Sequence, residues 1–306
     1  LFIESTLSTS IDAFNLFDKK ASWVRKLALH WVPGENEALK IFDRFKNTII
    51  ENYNEGRDRP DKSYTSMLSP HLHFGEISPI RIFEEINKKK LRNSNSKKKF
   101  LSEIGWREFS YSLLFNYPNI RNEPIQEKFK KFPWIYNSQY LNAWKKGKTG
   151  YPIVDAGMRQ LYNTGWMHNR VRMIVGSFLC KNLLLHWWEG EKWFFDKLVD
   201  ADLGANSAGW QWIAGCGADA APYFRIFNPI TQGLKFDPKG EYVKKYIPEL
   251  NNIPFKYLHS PWQLDLEDQQ KFKCIIGKDY PKPIVNLSDS REKALKAFSS
   301  IKLVSE

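Results

Sequence analysis

The sequence predicts an all-α fold. Three observations carry that expectation. Apolar residues recur at helical spacing, as Leu39, Phe42, Phe45 and Ile49 do after Pro33-Gly34. Proline, serine and aspartate stand where such segments begin, which is where helices accept them. No segment alternates apolar and polar residues as a half-buried strand does. With 306 residues the chain can form one large domain or two, and it can bury a substantial core.

Taken in order, residues 1 to 50 read as helices. LSTSIDAFNLF offers Ser and Asp as N-cap groups, and ENEALKIFDRFKNTIIENY carries the apolar face just named. The segment 54 to 72, NEGRDRPDKSYTSMLSPHL, is rich in Gly, Pro, Asp and Ser and reads as a loop. Its hydroxyls at Thr65, Ser66 and Ser69 suit an anion, although such groups more often cap helices. ISPIRIFEEINKKK is a helix with Pro79 near its start. KKKLRNSNSKKK (88 to 99) reads as an exposed charged loop. Residues 99 to 118 form a helix closed by Pro118, on which Glu103, Trp106 and Arg107 share a face. Pro152 to Tyr162 and Asn169 to Trp188 are helical, the second with Val171, Val175, Phe178 and Leu179 inward. After Trp262 the chain is polar and lysine-rich and ends in a helix, REKALKAF.

Composition narrows the partners. The net charge is +12 and the pI about 9.4, which favours a polyanion: nucleic acid or an acidic membrane surface. Three scattered cysteines give neither a disulfide framework nor zinc spacing and suggest a reducing compartment. No run of about twenty apolar residues exists, so no membrane span is expected. No signal peptide is evident. NAWKKGKT lacks the first glycine and the preceding strand of a phosphate loop, and GCGADA lacks the βαβ setting of a dinucleotide fingerprint. His71 and His73 alone make no convincing metal pair.

The stretch from Trp187 to Pro229 concentrates the remaining signal. It holds Trp187, Trp188, Trp193, Trp210 and Trp212, and Asp200 and Asp202 ahead of an Asn206 set among small residues. Small residues admit a flat ligand and aromatics line it, so a buried site for something planar and polar-edged is expected. Three runs, GKTGYPIVDAGMRQLYNTGWMHNRVRM (147 to 173), LVDADLGANSAGWQW (198 to 212) and ADAAPYFRIFNP (218 to 229), resemble the flavin-binding half of the DNA photolyase and cryptochrome family. Within it they look most like class I cyclobutane pyrimidine dimer photolyases. The similarity runs from about Trp23 to about Trp262.

That resemblance implies FAD in a helical domain, reduced and anionic when active. It places Tyr53, Thr65, Ser66, Leu68 and Ser69 at the pyrophosphate and ribose. It places Arg172, Asp200, Asp202 and Asn206 around the isoalloxazine ring, with Asn206 at N5. Glu103, Trp106, Asn169, Met173 and Trp212 match positions of the lesion pocket. Arg57 and Arg170 match the lesion side, and Arg107, Arg225 and Lys148 are further candidates for the DNA backbone. Trp210, Trp187 and Trp134 match an electron-entry chain. The implied activity is light-driven repair: an electron passes from photoexcited reduced FAD to a flipped-out dimer in UV-damaged DNA and then returns, with Glu103 stabilising the dimer radical anion. A cryptochrome-like photoreceptor without repair activity is the alternative. The expected division is a linker remnant and first helix (1–22), the helical FAD- and DNA-binding domain (23–265) and a polar tail with a helix (266–306). The match begins near residue 1, so the N-terminal α/β antenna domain and its cofactor are expected to be absent. A cytoplasmic monomer is expected.

Overall fold

The structure, a computed structural model, describes residues 9–14, 22–219 and 224–302. Helices occupy most of it, and among the described residues extended pairing is limited to the single bridges Ile135–Leu185 and Ile276–Tyr280. The chain divides into units 1–32 and 33–306. The first unit contains a 3-10 turn, Ile11–Phe14, and helix α1, Ser22–Ala28.

In the second unit the helices are α2 Glu35–Arg44, α3 Tyr53–Gly56, α4 Ser69–His73, α5 Pro79–Lys88, α6 Ser94–Asn116, α7 Ser138–Lys145, α8 Pro152–Thr164 and α9 Asn169–Ser177. They continue with α10 Trp187–Lys197, α11 Leu203–Ala214, α12 Pro229–Phe236, α13 Glu241–Tyr246, α14 Phe255–Leu258, α15 Leu266–Lys271 and α16 Leu287–Lys302. A smaller apolar cluster joins α2, α5 and the first half of α6 through Phe42, Phe45, Ile82, Ile86 and Phe100. A larger cluster takes α8, α9, α11, α13 and α16. Inward faces follow the sequence: Val171, Val175, Phe178 and Leu179 are fully buried.

Three expectations are corrected. The charged run 88 to 99 is a loop only as far as Asn93. That side chain accepts from the amides of Asn95 and Ser96 and starts α6 five residues earlier than the apolar pattern shows. Buried Ser96 then fastens the new turn to Glu51 O and Asn54 N. The helix expected from Asn169 to Trp188 is interrupted. α9 passes into a wide turn at Phe178–Asn182, Leu184 takes φ +53°, and α10 restarts with His186 as its cap. The break is stabilised from elsewhere, because Leu184 O accepts the amide of Ile135 at 2.9 Å. Lastly, the segment set apart as a polar tail is part of the fold: Ala294, Ala297 and Ile301 of α16 are buried in the larger cluster.

One buried acid holds the entry to α8. Asp155, with no solvent exposure, accepts Thr149 N and Oγ1 at 2.7 Å each, Gly150 N at 3.0 Å and Tyr280 Oη at 2.5 Å. Burial pushes its carboxyl pKa up, and the Thr149 and Tyr280 donors oppose that. Asp155→Ala would strand several buried donors and should cost about 3 kcal/mol or more in urea unfolding. A loss under about 1 kcal/mol would show that water replaces the carboxylate there.

Candidate functional site

The segment between α10 and α11 carries the acids. Arg172, on α9, donates through Nη2 to both oxygens of Asp200, at 3.0 and 2.8 Å, and through Nε to Met167 O at 2.7 Å. A guanidinium held at three points has one orientation, and Asp200 is nearly buried beside it. Asp202 begins α11 by accepting the amide of Ala205. Its other oxygen accepts the hydroxyl of Tyr111 from α6 and lies 3.6 Å from His73 Nδ1 of α4. Asn206 follows on α11. Its Nδ2 donates to the backbone O and to Oε1 of Glu191, at 3.1 and 3.0 Å, which leaves its Oδ1 without a protein donor. Glu191 is fully buried and also receives Arg121 Nε at 3.2 Å.

The hydroxyl segment lies alongside, since α4 bears His73. Met67 has φ +58°, and Leu68 follows at φ −90°, ψ −7°. That change of hand aims successive amides to one side, a concavity suited to anions. The side chain of Leu68 is buried in the smaller cluster, its amide donates over a long 3.4 Å to Ser66 Oγ, and its carbonyl accepts Leu72 N. Thr65 and Ser66 are partly open and Ser69 is exposed. The ring of Tyr53 packs edge-on against Phe45 and Phe100.

The residues matched to lesion and DNA meet in an ion network. Arg57 pairs with Glu103 and lies 3.9 Å from Asp58, and Arg170 Nη2 reaches the same Asp58 oxygen at 2.8 Å. Glu103, Arg57 and Arg170 are thus brought together, with Asn169 exposed at the start of α9. Trp106 is 47% exposed and packs edge-on to Phe109. Arg107 pairs with Glu108 and lies over the Tyr111 ring. Met173 and Trp212 are partly buried against the larger cluster. Arg225 and Lys148 are exposed. Residues 220 to 223 of the third matching run lie outside the described residues.

Of the three tryptophans, Trp187 and Trp210 are buried and Trp134 is partly open. Trp210 packs on Gly190 of α10, where a methyl group would stand 2.1 Å from Cη2. The ring of His186 packs against both Trp134 and Trp187, 5.2 Å from one centroid and 5.5 Å from the other.

Comparison with known proteins gives the family. The sequence profile of the FAD binding domain of DNA photolyase matches residues 100–300. This chain belongs to that family. A deoxyribodipyrimidine photo-lyase of Agrobacterium fabrum is 48% identical over 297 residues, covering 96% of this chain and 62% of the relative. Cryptochrome-1 of Arabidopsis thaliana is 41% identical over 283 residues, covering 90% of this chain and 42% of the relative. A bacterial class III photolyase from Agrobacterium tumefaciens superposes with a TM-score of 0.92 at 47% identity, over 96% of this chain and 61% of that one. The chain therefore spans about 60% of the length of these photolyases. The narrower likeness to class I is not what these matches carry, since the structural relative is a class III enzyme.

The residues fit the flavin such a domain binds. The concavity at Met67–Leu68 suits phosphate, and the Arg172–Asp200 pair and the free Oδ1 of Asn206 suit a polar-edged ring. Among buried side-chain atoms with no hydrogen-bond partner are Nε2 of His71 and Nδ1 of His73, the latter 3.6 Å from Asp202. Sequence reasoning missed Glu191, Tyr111 and Asp58. Tyr111 had a signal, since it extends the helical face of Glu103 and Arg107. Glu191 and Asp58 had none, because their partners are remote in sequence.

His168 caps α9, its Nδ1 accepting the amide of Arg170 at 3.2 Å, and is almost fully buried. Burial lowers its pKa to about 4. The unfolded chain then takes up a proton near pH 6.5 that the native state refuses until about pH 4, so stability falls as pH drops through that window, by about 3 kcal/mol in all. His168→Asn keeps a capping group and should flatten the decline in chemical denaturation. An unchanged slope would refute this origin.

Proposed function

We propose that this chain repairs cyclobutane pyrimidine dimers in DNA under light, with FAD bound among α4, α9, α10 and α11. The observation that carries the reading is the fixed Arg172–Asp200 pair just before α11, within a domain whose family binds FAD. When bound and reduced, FAD supplies the light absorption and the one-electron chemistry. Thr65, Ser66, Ser69, the Leu68 amide and Tyr53 would hold its phosphates and ribose. Arg172, Asp200 and Asp202 would orient its ring, and the Oδ1 of Asn206 would accept a hydrogen bond from a ring N–H. Trp187, Trp210 and Trp134 would bring in the electrons that keep it reduced.

On the substrate side, Trp106, Trp212 and Met173 pack against the apolar cyclobutane face, and Asn169 and Glu103 bond the base edges. A damaged, poorly stacked site is the least costly to extrude. Arg57, Arg107 and Arg170 take phosphates. Arg57 and Arg170 are already paired with Glu103 and Asp58, so binding DNA exchanges partners rather than neutralising bare charges. The excess of +12 still draws the polyanion and makes binding weaken with salt. We take the protein to act in the cytoplasm as a monomer; among the described residues no helix is long and apolar enough to cross a membrane.

A second reading, a photoreceptor without repair, is favoured by the likeness to Arabidopsis cryptochromes. One experiment separates them. Photoreduced protein is mixed with a dimer-containing oligonucleotide, and the absorbance of the restored pyrimidine double bonds is followed in light and in dark. Light-dependent recovery is expected; its absence in flavin-loaded, reducible protein would favour the photoreceptor. Glu103→Ala should keep its FAD and repair about 10- to 100-fold more slowly, the worth of one hydrogen bond to a charged centre. Equal repair would remove Glu103 from the mechanism.

A further inference from the structure

We propose that the imidazole of His186 is the bridge by which an electron passes from Trp134 to Trp187. The inference rests on the electron-entry reading of Trp134, Trp187 and Trp210 given above.

Trp187 is 1% exposed, so it cannot trade electrons with a reductant in solution. Trp134 is partly open and can. Between them, among the described residues, the ring that packs against both is that of His186. Its centroid lies 5.2 Å from Trp134 at an interplanar angle of 55° and 5.5 Å from Trp187 at 33°. Electron transfer weakens steeply across gaps, and an aromatic ring in contact on both sides carries it better than a saturated side chain.

The fold holds this ring still. His186 Nδ1 accepts the amide of Trp188 at 3.1 Å and so caps α10. The left-handed Leu184 sets the approach to it. On the other side, the amide of Ile135 bonds to Leu184 O at 2.9 Å, which pins the segment bearing Trp134 against the break before α10. The cap bond also fixes the tautomer: with Nδ1 accepting, the proton of the neutral ring is on Nε2. Burial lowers the pKa of His186, against the pull of Glu189, and favours the neutral ring. An uncharged bridge matters, because an imidazolium beside an oxidised indole would repel the positive charge.

The step balances as one electron. Trp187 regains the electron it released toward the flavin, Trp134 is left one electron short, and an external thiol reductant restores it. Imidazole is harder to oxidise than indole, so His186 couples the two without being oxidised itself. Between Trp134 and Trp187 no bond or proton changes place; the thiol that restores Trp134 releases its proton and pairs with a second thiol as disulfide.

Two variants separate the bridge from the cap. His186→Phe keeps a ring and loses the capping acceptor; His186→Asn keeps a capping acceptor and loses the ring. Two readouts are taken: photoreduction of bound flavin under blue light with the thiol, and the melting temperature of flavin-free protein. A bridge predicts that His186→Asn loses most of the photoreduction rate at near-native melting, whereas His186→Phe photoreduces close to wild type and melts lower. Photoreduction that follows the melting temperature, or that is unchanged in both variants, overturns the proposal. Trp187→Phe is the control. If it photoreduces like wild type, the electron-entry reading itself fails and takes the proposal with it. If it is slow while His186→Asn is normal, the bridge alone is wrong.

Discussion

A carboxylate without access to water must be matched, and Glu191 is the one on which this site depends. Arg121 offsets its charge, Ser207 reaches it at 3.4 Å, and Asn206 donates once to it and once to the backbone carbonyl of the same residue. Those bonds join α10 to α11 and leave Asn206 one possible orientation. Gly190, beside the acid, gives up its side chain so that the six-membered ring of the Trp210 indole can approach the helix. The two constraints act together: the acid sets how α10 and α11 meet, and the glycine sets how closely.

From that pair the rest of the site follows. The start of α11 is fixed by Asp202, which is also the acceptor for Tyr111 from α6 and the neighbour of His73 from α4. Asp200 stands just before it and receives Arg172 from α9. Four elements distant in sequence therefore meet at two acids one residue apart. The outer rim is built differently. Arg57, Arg170, Glu103 and Asp58 form a compensated network, which keeps the basic face from repelling itself and offers polar atoms that can change partners.

Much of this was legible in the sequence. Helical periodicity located α5, α8 and the core face of α9, because burial selects apolar residues at fixed intervals. The two boundaries that failed have one cause. Asn93 could be read as a cap only if Ser96 is buried against Glu51, and the break before α10 needs Ile135 to take the carbonyl of Leu184. Both are long-range events that no local window contains. The polar appearance of residues after Trp262 likewise hid three inward positions on α16. At the site, Asp200, Asp202 and Asn206 stood out by their setting, and resemblance supplied the partner Arg172. Glu191 did not stand out, since an acid in an aromatic-rich helix looks the same whether it faces water or a remote arginine.

The central claim is that Arg172 and Asp200 act as one unit in holding the flavin. The most direct test is the FAD dissociation constant of wild type, Arg172→Met, Asp200→Asn and the double variant. The account predicts weaker binding in each single variant and little further loss in the double, the non-additivity of partners in contact. Wild-type affinity in both single variants, or losses that simply add, would contradict it.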